Sequence, residues 1–324
     1  MRVIIYGAGA IGCVVGGHLG RTGHDVVLIG RPGQVNAIQK NGLRFVTTTG
    51  THILHLPAVT SPTQIDFGSE DVVLLCVKGQ NTEEAIRDLH DVTKDVPVFC
   101  FQNGVRNEGT VARYFPRVYG AMLRIPAYYI IDGEVKSERE PPGWIIIGRY
   151  PEGDDELVEA VAANLRTAGF LVKVTPDVMP YKWGKLIRNL HTTVIAITNE
   201  SEEAVLPLVK IVRQEAQEIV SQAGIRLVDQ EQVAKEWPEA TVPPKSKPLD
   251  KARSSTWQSL ARKQGTVEVE FFQGEIVRLA KQLGREAPMN EKLLRICEEM
   301  AANRELPGRY TLAQLSTLLG LDGS

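Results

Sequence analysis

Six residues near the start constrain this chain more than any other stretch. Gly7-Ala8-Gly9-Ala10-Ile11-Gly12 follows the apolar run Val3-Ile4-Ile5-Tyr6 and opens a second apolar stretch, Ile11 to Leu19. A strand running into a G-x-G-x-x-G turn and then a helix has few solutions. Gly7 permits the tight turn, Gly9 lets the backbone approach a pyrophosphate, and Gly12 brings the helix close to the sheet. The helix start then offers unpaired N–H groups and a positive dipole end to an anion. The spacing alone is common, and without its context the segment is a structural strand–turn–helix. The flanking strand and helix make it the phosphate loop of a dinucleotide-binding βαβ unit.

The rest of the first half agrees. Val3 to Tyr6, Asp25 to Ile29, Val72 to Val77, Val96 to Phe101 and Val118 to Met122 are dense in Val, Ile and Leu with little alternation. That is the pattern of parallel strands buried on both faces. Ala127 to Ile131 and Glu134 to Lys136 are predicted to form a hairpin across Asp132-Gly133. Trp144 to Ile147 adds an antiparallel strand, Asp154 to Ala168 a helix, and Phe170 to Val174 a last strand. Beyond Thr175-Pro176-Asp177 the pattern turns helical: Met179 to Ile197, Ala204 to Ala223, Ser255 to Lys263, Glu270 to Leu283 and Glu291 to Asn303. Val242 to Pro248 is predicted as a polar, proline-rich loop. The fold class is therefore α/β, with an N-terminal Rossmann-type doubly wound parallel sheet over 1–175. An all-helical C-terminal domain over 176–324 is expected to carry substrate and to close over the cofactor. A hydrophobic content of 43% is enough for two such cores.

The second predicted strand ends at Ile29-Gly30-Arg31-Pro32. An NAD site places Asp or Glu there to accept the ribose 2′-hydroxyl; here no acid stands, and Arg31 does. A guanidinium suits a 2′-phosphate, so NADP(H) is favoured, the alternative being a solvated loop arginine. Lys+Arg total 37 and Asp+Glu 39, a balance that gives no reason to expect nucleic acid or a membrane surface as partner. No apolar run is long enough to span a bilayer, and no leader segment is expected ahead of Val3. Four cysteines without C-x-x-C pairing and six scattered histidines predict no metal site and a reducing, cytoplasmic compartment. A monomer or homodimer is expected.

Lys185, Asn189 and Thr193 are spaced four apart, on one face of the predicted helix, beside the apolar stripe Leu186, Leu190, Val194 and Ile197. Such a lysine either snorkels to solvent or, partly desolvated, serves as a proton donor. Wider matches bear on that choice. Gly7 to Gly12, Val77-Lys78, Gln102-Asn103-Gly104 and Trp183-x-Lys185-x-x-x-Asn189 are joined by Ser254-Ser255, Gln258, Glu268-Val269-Glu270 and Gly274. Along nearly its whole length the chain resembles the ketopantoate reductase (2-dehydropantoate 2-reductase) family. The resemblance implies NADPH-dependent reduction of a 2-oxo acid, with Lys185 as general acid and Glu268 binding a substrate hydroxyl or tuning Lys185. It also implies cofactor contacts from Gly7, Ala8, Gly9, Ala10, Ile11, Gly12, Arg31, Lys78 and Asn103, and substrate contacts from Asn103, Asn189, Thr193 and Ser255. Read alone, Ser255 is equally an N-cap and Glu268 a solvated helix start.

The sequence departs from the family pattern on the substrate side. Thr193 replaces a second Asn, Thr256 a Met, and Ser259 an Asp, with one residue inserted before Glu268. The alternatives to ketopantoate reduction are the same hydride chemistry on another 2-oxo acid, or an NADP(H)-binding regulatory protein without turnover.

Overall fold

The computed structural model describes residues 1–129, 131–137, 139–241, 245–246 and 254–321. The chain divides into two compact units: Met1–Lys182 with Glu231–Pro248, and Trp183–Gln230 with Leu249–Ser324.

The first unit begins β1 (Arg2–Tyr6), α1 (Ala10–Arg21), β2 (Val26–Ile29), α2 (Pro32–Asn41), β3 (Leu43–Thr47), β4 (Gly50–Leu54) and β5 (Ala58–Val59). It continues through β6 (Asp71–Leu75), α3 (Thr82–Val92), β7 (Val98–Cys100), α4 (Asn107–Val111), β8 (Val118–Arg124), β9 (Glu134–Ser137) and β10 (Arg139–Glu140). Then follow β11 (Trp144–Arg149), α5 (Glu156–Thr167) and β12 (Leu171–Val174). Eight strands form one sheet in the order β12-β11-β8-β7-β6-β1-β2-β5. The six from β8 to β5 run parallel, and β11 returns antiparallel to β8. Alternate residues of β1 serve opposite cores, as the pleat requires. Val3 and Ile5 pack with Val14, Val15 and Leu19 of α1 and Val161 and Leu165 of α5. Ile4 and Tyr6 pack with Ile86 and Leu89 of α3 and Val111 of α4.

A smaller sheet, β4-β3-β9, was not expected. Leu43, Phe45 and Thr47 alternate inward along β3, a period-two pattern that was legible in the sequence. This sheet also revises the predicted hairpin. Among the described residues only a bridge between Tyr128 and Lys136 forms it, and β9 pairs instead in parallel with β3. Val135 is wholly buried and Glu134 pairs with Arg44. Residue 130 of that hairpin lies outside the described residues, as does the proline-rich stretch 242–248 apart from 245–246.

By compactness the first unit runs past 175/176, the boundary read in the sequence. The first unit keeps the chain to Lys182 and takes back 231–248. Side chains distant in sequence account for this. Tyr181 Oη donates to Glu236 Oε2 at 2.5 Å, Lys173 reaches the same carboxylate at 3.3 Å, and Trp144 meets Trp237 edge-on.

The following elements are α6 (Met179–Asn189), α7 (His191–Thr198), α8 (Glu202–Gln222), α9 (Gln230–Glu236), β13 (Lys245–Ser246) and α10 (Ser255–Ala261). α11 (Gln273–Gln282), α12 (Pro288–Ala302) and α13 (Leu312–Leu319) complete the chain. Within the second unit, α7 is buried all round from Thr192 to Thr198, as expected of a central helix. It packs on α8, α10 and α12.

The single helix predicted over 179–197 is in fact two, divided at Leu190. Gln273, fully buried, spans the break: its Nε2 donates to Leu190 O at 3.0 Å, and its Oε1 accepts from Thr193 Oγ1 at 2.8 Å. The carbonyl of Arg188 accepts from Arg213 Nη2 at 2.5 Å and from the Nδ1–H of His191 at 2.6 Å. The cationic Arg213 suits the negative end of a helix.

His18 of α1 supplies a test of the first unit. Its ring lies edge-on to Phe45 and Phe170, and its Nε2 lies 3.0 Å from Ser137 Oγ. Burial lowers its pKa from 6.5 to about 4, so the fold holds it neutral. Its contribution is complete above pH 6.5 and is lost as the pH falls toward 4, because the unfolded chain binds the proton first. We expect up to about 3 kcal/mol of stability to disappear across that window. Urea unfolding at pH 7 and pH 4 should show a clearly smaller difference for His18→Gln. An equal difference in both proteins would remove His18 from the account.

Candidate functional site

Two of the three glycines of the Gly7–Gly12 loop are required by the backbone, as their spacing predicts. Gly7 has φ +118°, and a Cβ there would lie 2.6 Å from the carbonyl carbon of Cys76 and from Val77 N. At Gly12 a Cβ would lie 2.2 Å from Gly7 O and 2.7 Å from Ile5 Cγ2. At Gly9 an added Cβ meets nothing within 4 Å. Gly7 and Gly12 are thus demanded by the protein, whereas the freedom at Gly9 faces open space above the start of α1. Gly7 N and Ala8 N both donate to Ile29 O, at 2.9 and 2.8 Å, tying the turn to the end of β2. Ala10, Ile11 and Gly12 form the first turn of α1. These residues fit a dinucleotide pyrophosphate, whose oxygens would occupy the place left clear at Gly9.

Arg31 follows β2 directly, is exposed, and precedes Pro32 at the start of α2. Lys78 follows β6, and Asn103 follows β7; both are half-buried. Gly7, Arg31, Lys78 and Asn103 therefore share the carboxyl edge of the parallel sheet, where such sheets bind ligands.

In the second unit, Lys185 and Asn189 stand one turn apart on α6 and are half-buried. Beside them Leu186, Leu190, Val194 and Ile197 are all buried, as the apolar stripe implied. Gly184 was not singled out in the sequence. A Cβ there would lie 1.8 Å from Val228 O, so the 228–229 backbone crosses α6 next to Lys185. Thr193, one turn beyond Asn189 and past the break at Leu190, is fully buried, and its hydroxyl is given to Gln273 as a link in the helix junction. Ser255 is exposed and is the first residue of α10; the cap is Ser254, whose Oγ accepts from Trp257 N at 3.2 Å. Glu268 is half-buried and begins a short 3₁₀ turn to Phe271.

Lys182 is the other lysine of α6. It is 3% exposed and its Nζ donates to the wholly buried Glu108, to Gln102 O at 3.1 Å and to Ala121 O at 3.3 Å. Three acceptors account for its three protons, so it has none to give a substrate. The partners of Lys182 are 61 to 80 residues away in sequence, which is why the sequence did not reveal its role.

Of the four free cysteines, Cys13, Cys100 and Cys297 are buried and Cys76 half-buried. Desolvation raises the pKa of all four, that of Cys13 and Cys297 to about 12, so they are small core residues rather than nucleophiles. Among the described residues, no group of His, Cys, Asp and Glu could hold a metal ion, and no helix is long and apolar enough to cross a membrane.

The glycine geometry predicts a separation of fold from binding. Gly9→Ala should keep the melting temperature of the wild type and weaken dinucleotide binding. Gly12→Ala should lower the melting temperature, since backbone and a core isoleucine lie in the way. Thermal unfolding and titration with reduced nicotinamide dinucleotide check both; a Gly9→Ala protein with unchanged affinity would move the cofactor elsewhere.

Residues 3–152 match the family model described as ketopantoate reductase PanE/ApbA, and residues 177–301 match the model of that family's C-terminal part. A 2-dehydropantoate 2-reductase of Pyrococcus horikoshii is 31% identical over 303 residues, covering 90% of this chain and 94% of that protein. The crystal structure of a PanE/ApbA family ketopantoate reductase from Ralstonia eutropha JMP134 aligns with a TM-score of 0.77 at 29% identity, over 94% of this chain and 99% of that one. D-mandelate dehydrogenase, solved with NADH and anilino(oxo)acetate, shares the fold with a TM-score of 0.76 at 22% identity, over 94% of this chain and 99% of that one. With both family models matched in chain order and a relative similar along nearly its full length, this chain belongs to the ketopantoate reductase family of oxidoreductases.

Proposed function

We propose that this 2-oxo acid reductase uses NADPH and converts ketopantoate (2-dehydropantoate) to pantoate. The observation that carries the reading is the carboxyl edge of the sheet, where the opening at Gly9 is followed along the edge by Arg31 in place of an acid. A guanidinium there pairs with a 2′-phosphate through charge-assisted hydrogen bonds, and has no such partner on a 2′-hydroxyl. Bound nicotinamide supplies the hydride. Lys185 protonates the carbonyl oxygen, where negative charge grows in the transition state and a cation helps most. Asn103 and Lys78 hold the nicotinamide side of the cofactor, Asn103 also touching the substrate. Asn189 orients the oxo acid, the Ser255 hydroxyl binds its carboxylate, and Glu268 accepts from its hydroxyl or tunes Lys185. The pairing of a P. horikoshii 2-dehydropantoate 2-reductase with this chain supports ketopantoate as substrate. Four free, mostly buried thiols suit a reducing compartment such as the cytoplasm, and the enzyme acts there as a monomer or homodimer.

A different 2-oxo acid is the second reading. It is favoured by Thr256 and Ser259, which stand where the family pattern has Met and Asp and are both buried here. Oxidation of NADPH and NADH, followed at 340 nm with a panel of 2-oxo acids, decides between the two. Ketopantoate should give the highest kcat/KM; a better branched or aromatic oxo acid would overturn that assignment.

Two substitutions test the roles. Arg31→Ala should weaken NADPH binding far more than NADH binding, and equal weakening would show that Arg31 does not read the 2′-phosphate. Lys185→Ala should lower kcat by about a hundredfold or more, the scale of a general acid, with little change in NADPH affinity. Near-normal turnover by that variant would end the assignment.

A further inference from the structure

Asn103 stands between two peptide planes that are each held from outside. The carbonyl of Gln102 accepts from Lys182 Nζ at 3.1 Å, and that of Asn103 accepts from Asn107 Nδ2 at 2.8 Å. Fixing both planes around one Cα fixes its φ and ψ, and with them the direction in which the side chain leaves. The next residue, Gly104, has φ +84° and turns the chain away at once.

The groups that hold these planes are themselves connected in one direction. Gln102 Nε2 donates to Val77 O and to Thr82 Oγ1, both at 2.8 Å. Thr82 Oγ1 in turn donates to Asn107 Oδ1 at 2.8 Å. With its oxygen occupied by Thr82, Asn107 must present its amide nitrogen to Asn103 O. The carbonyl of Val77 belongs to the peptide bond that enters Lys78, so the same glutamine ties both rim residues. Thr82, Gln102, Asn107, Lys182 and Glu108 are all 5% exposed or less. A directed chain of hydrogen bonds in so dry a place is strong when complete and costly when interrupted.

We propose that Thr82, Gln102, Asn107 and Lys182 are positioning residues that aim Asn103 and Lys78, with the Thr82 hydroxyl as the link on which the chain depends. The proposal rests on the reading of Asn103 and Lys78 as cofactor and substrate contacts. Thr82 is the place to cut, because valine keeps its shape and removes only the hydroxyl. Gln102 and Asn107 then each lose a partner, and the amide of Asn107 is free to rotate away from Asn103 O.

The test is a double-mutant cycle between Thr82→Val and Asn103→Ala, with Thr82→Ser as rescue. For each protein we would measure kcat and KM with ketopantoate, the NADPH Kd from nicotinamide fluorescence, and the melting temperature. Thr82→Val should lower kcat/KM by up to about a hundredfold, the scale of a reacting group displaced by an ångström. Thr82→Ser should return most of it, and Thr82→Val should add clearly less once Asn103 is alanine, since only Lys78 is then left to aim. Equal losses in both backgrounds, or a lowered melting temperature with unchanged kcat/KM, would overturn the proposal. Should Thr82→Val fail to fold, Asn107→Leu interrupts the same chain and enters the cycle in its place. A wild type inactive on every oxo acid would sink the substrate reading, while the cycle read in NADPH Kd would still decide this one.

Discussion

Backbone pressed directly on backbone at the end of β1 is the constraint from which the rest of the first unit follows. Gly7 lies so near the Cys76–Val77 peptide that no side chain fits, and α1 begins so close behind it that Gly12 cannot carry one either. Those approaches bring the carboxyl ends of β1 and β6 level and aim the start of α1 across the rim. Once they are set, the loops after β2, β6 and β7 have one edge to occupy. Arg31, Lys78 and Asn103 stand on it.

Two lysines on one helix illustrate how surroundings divide roles between identical groups. Lys182 and Lys185 differ by three positions and have the same intrinsic basicity. Lys182 is sealed against Glu108 and two carbonyls, so its protons are committed and its charge is compensated. A buried pair of this kind contributes little net stability but is costly to break, which makes it a device for fixing geometry. Lys185 keeps partial contact with solvent beside an apolar stripe.

The second unit is organised around a helix that a smoother sequence would have made continuous. The break at Leu190 leaves carbonyls at the end of α6 that need donors, and Gln273, Arg213 and His191 provide them. Gln273 then claims the hydroxyl of Thr193. The threonine that departs from the family pattern therefore has a packing explanation. Periodicity could not announce the break, because residues 179–197 keep a helical apolar spacing across it and Leu190 itself stays in the right-handed helical region.

The α/β class, the parallel strands, the steric need for Gly7 and Gly12, and the placement of Arg31, Lys78 and Asn103 after strands and of Lys185 and Asn189 one turn apart on a helix could all be read from the sequence. Each depends on local spacing: a strand, a turn whose sterics admit only glycine, or two residues one helical turn apart. The parallel pairing of β9 with β3, the return of 231–248 to the first unit, the break at Leu190 and the clamp around Asn103 could not be found there. Apart from the Asn107–Asn103 bond within the clamp, the contacts that define them join residues from 20 to about 90 positions apart. Which buried donor meets which buried acceptor is settled only when packing removes water from both. The sequence alone thus determined which kind of ligand the chain is built to bind and where its backbone must turn. Only the tertiary structure decided which polar side chains are consumed in holding the site and which remain to do chemistry, because that division depends on burial and on partners far away along the chain.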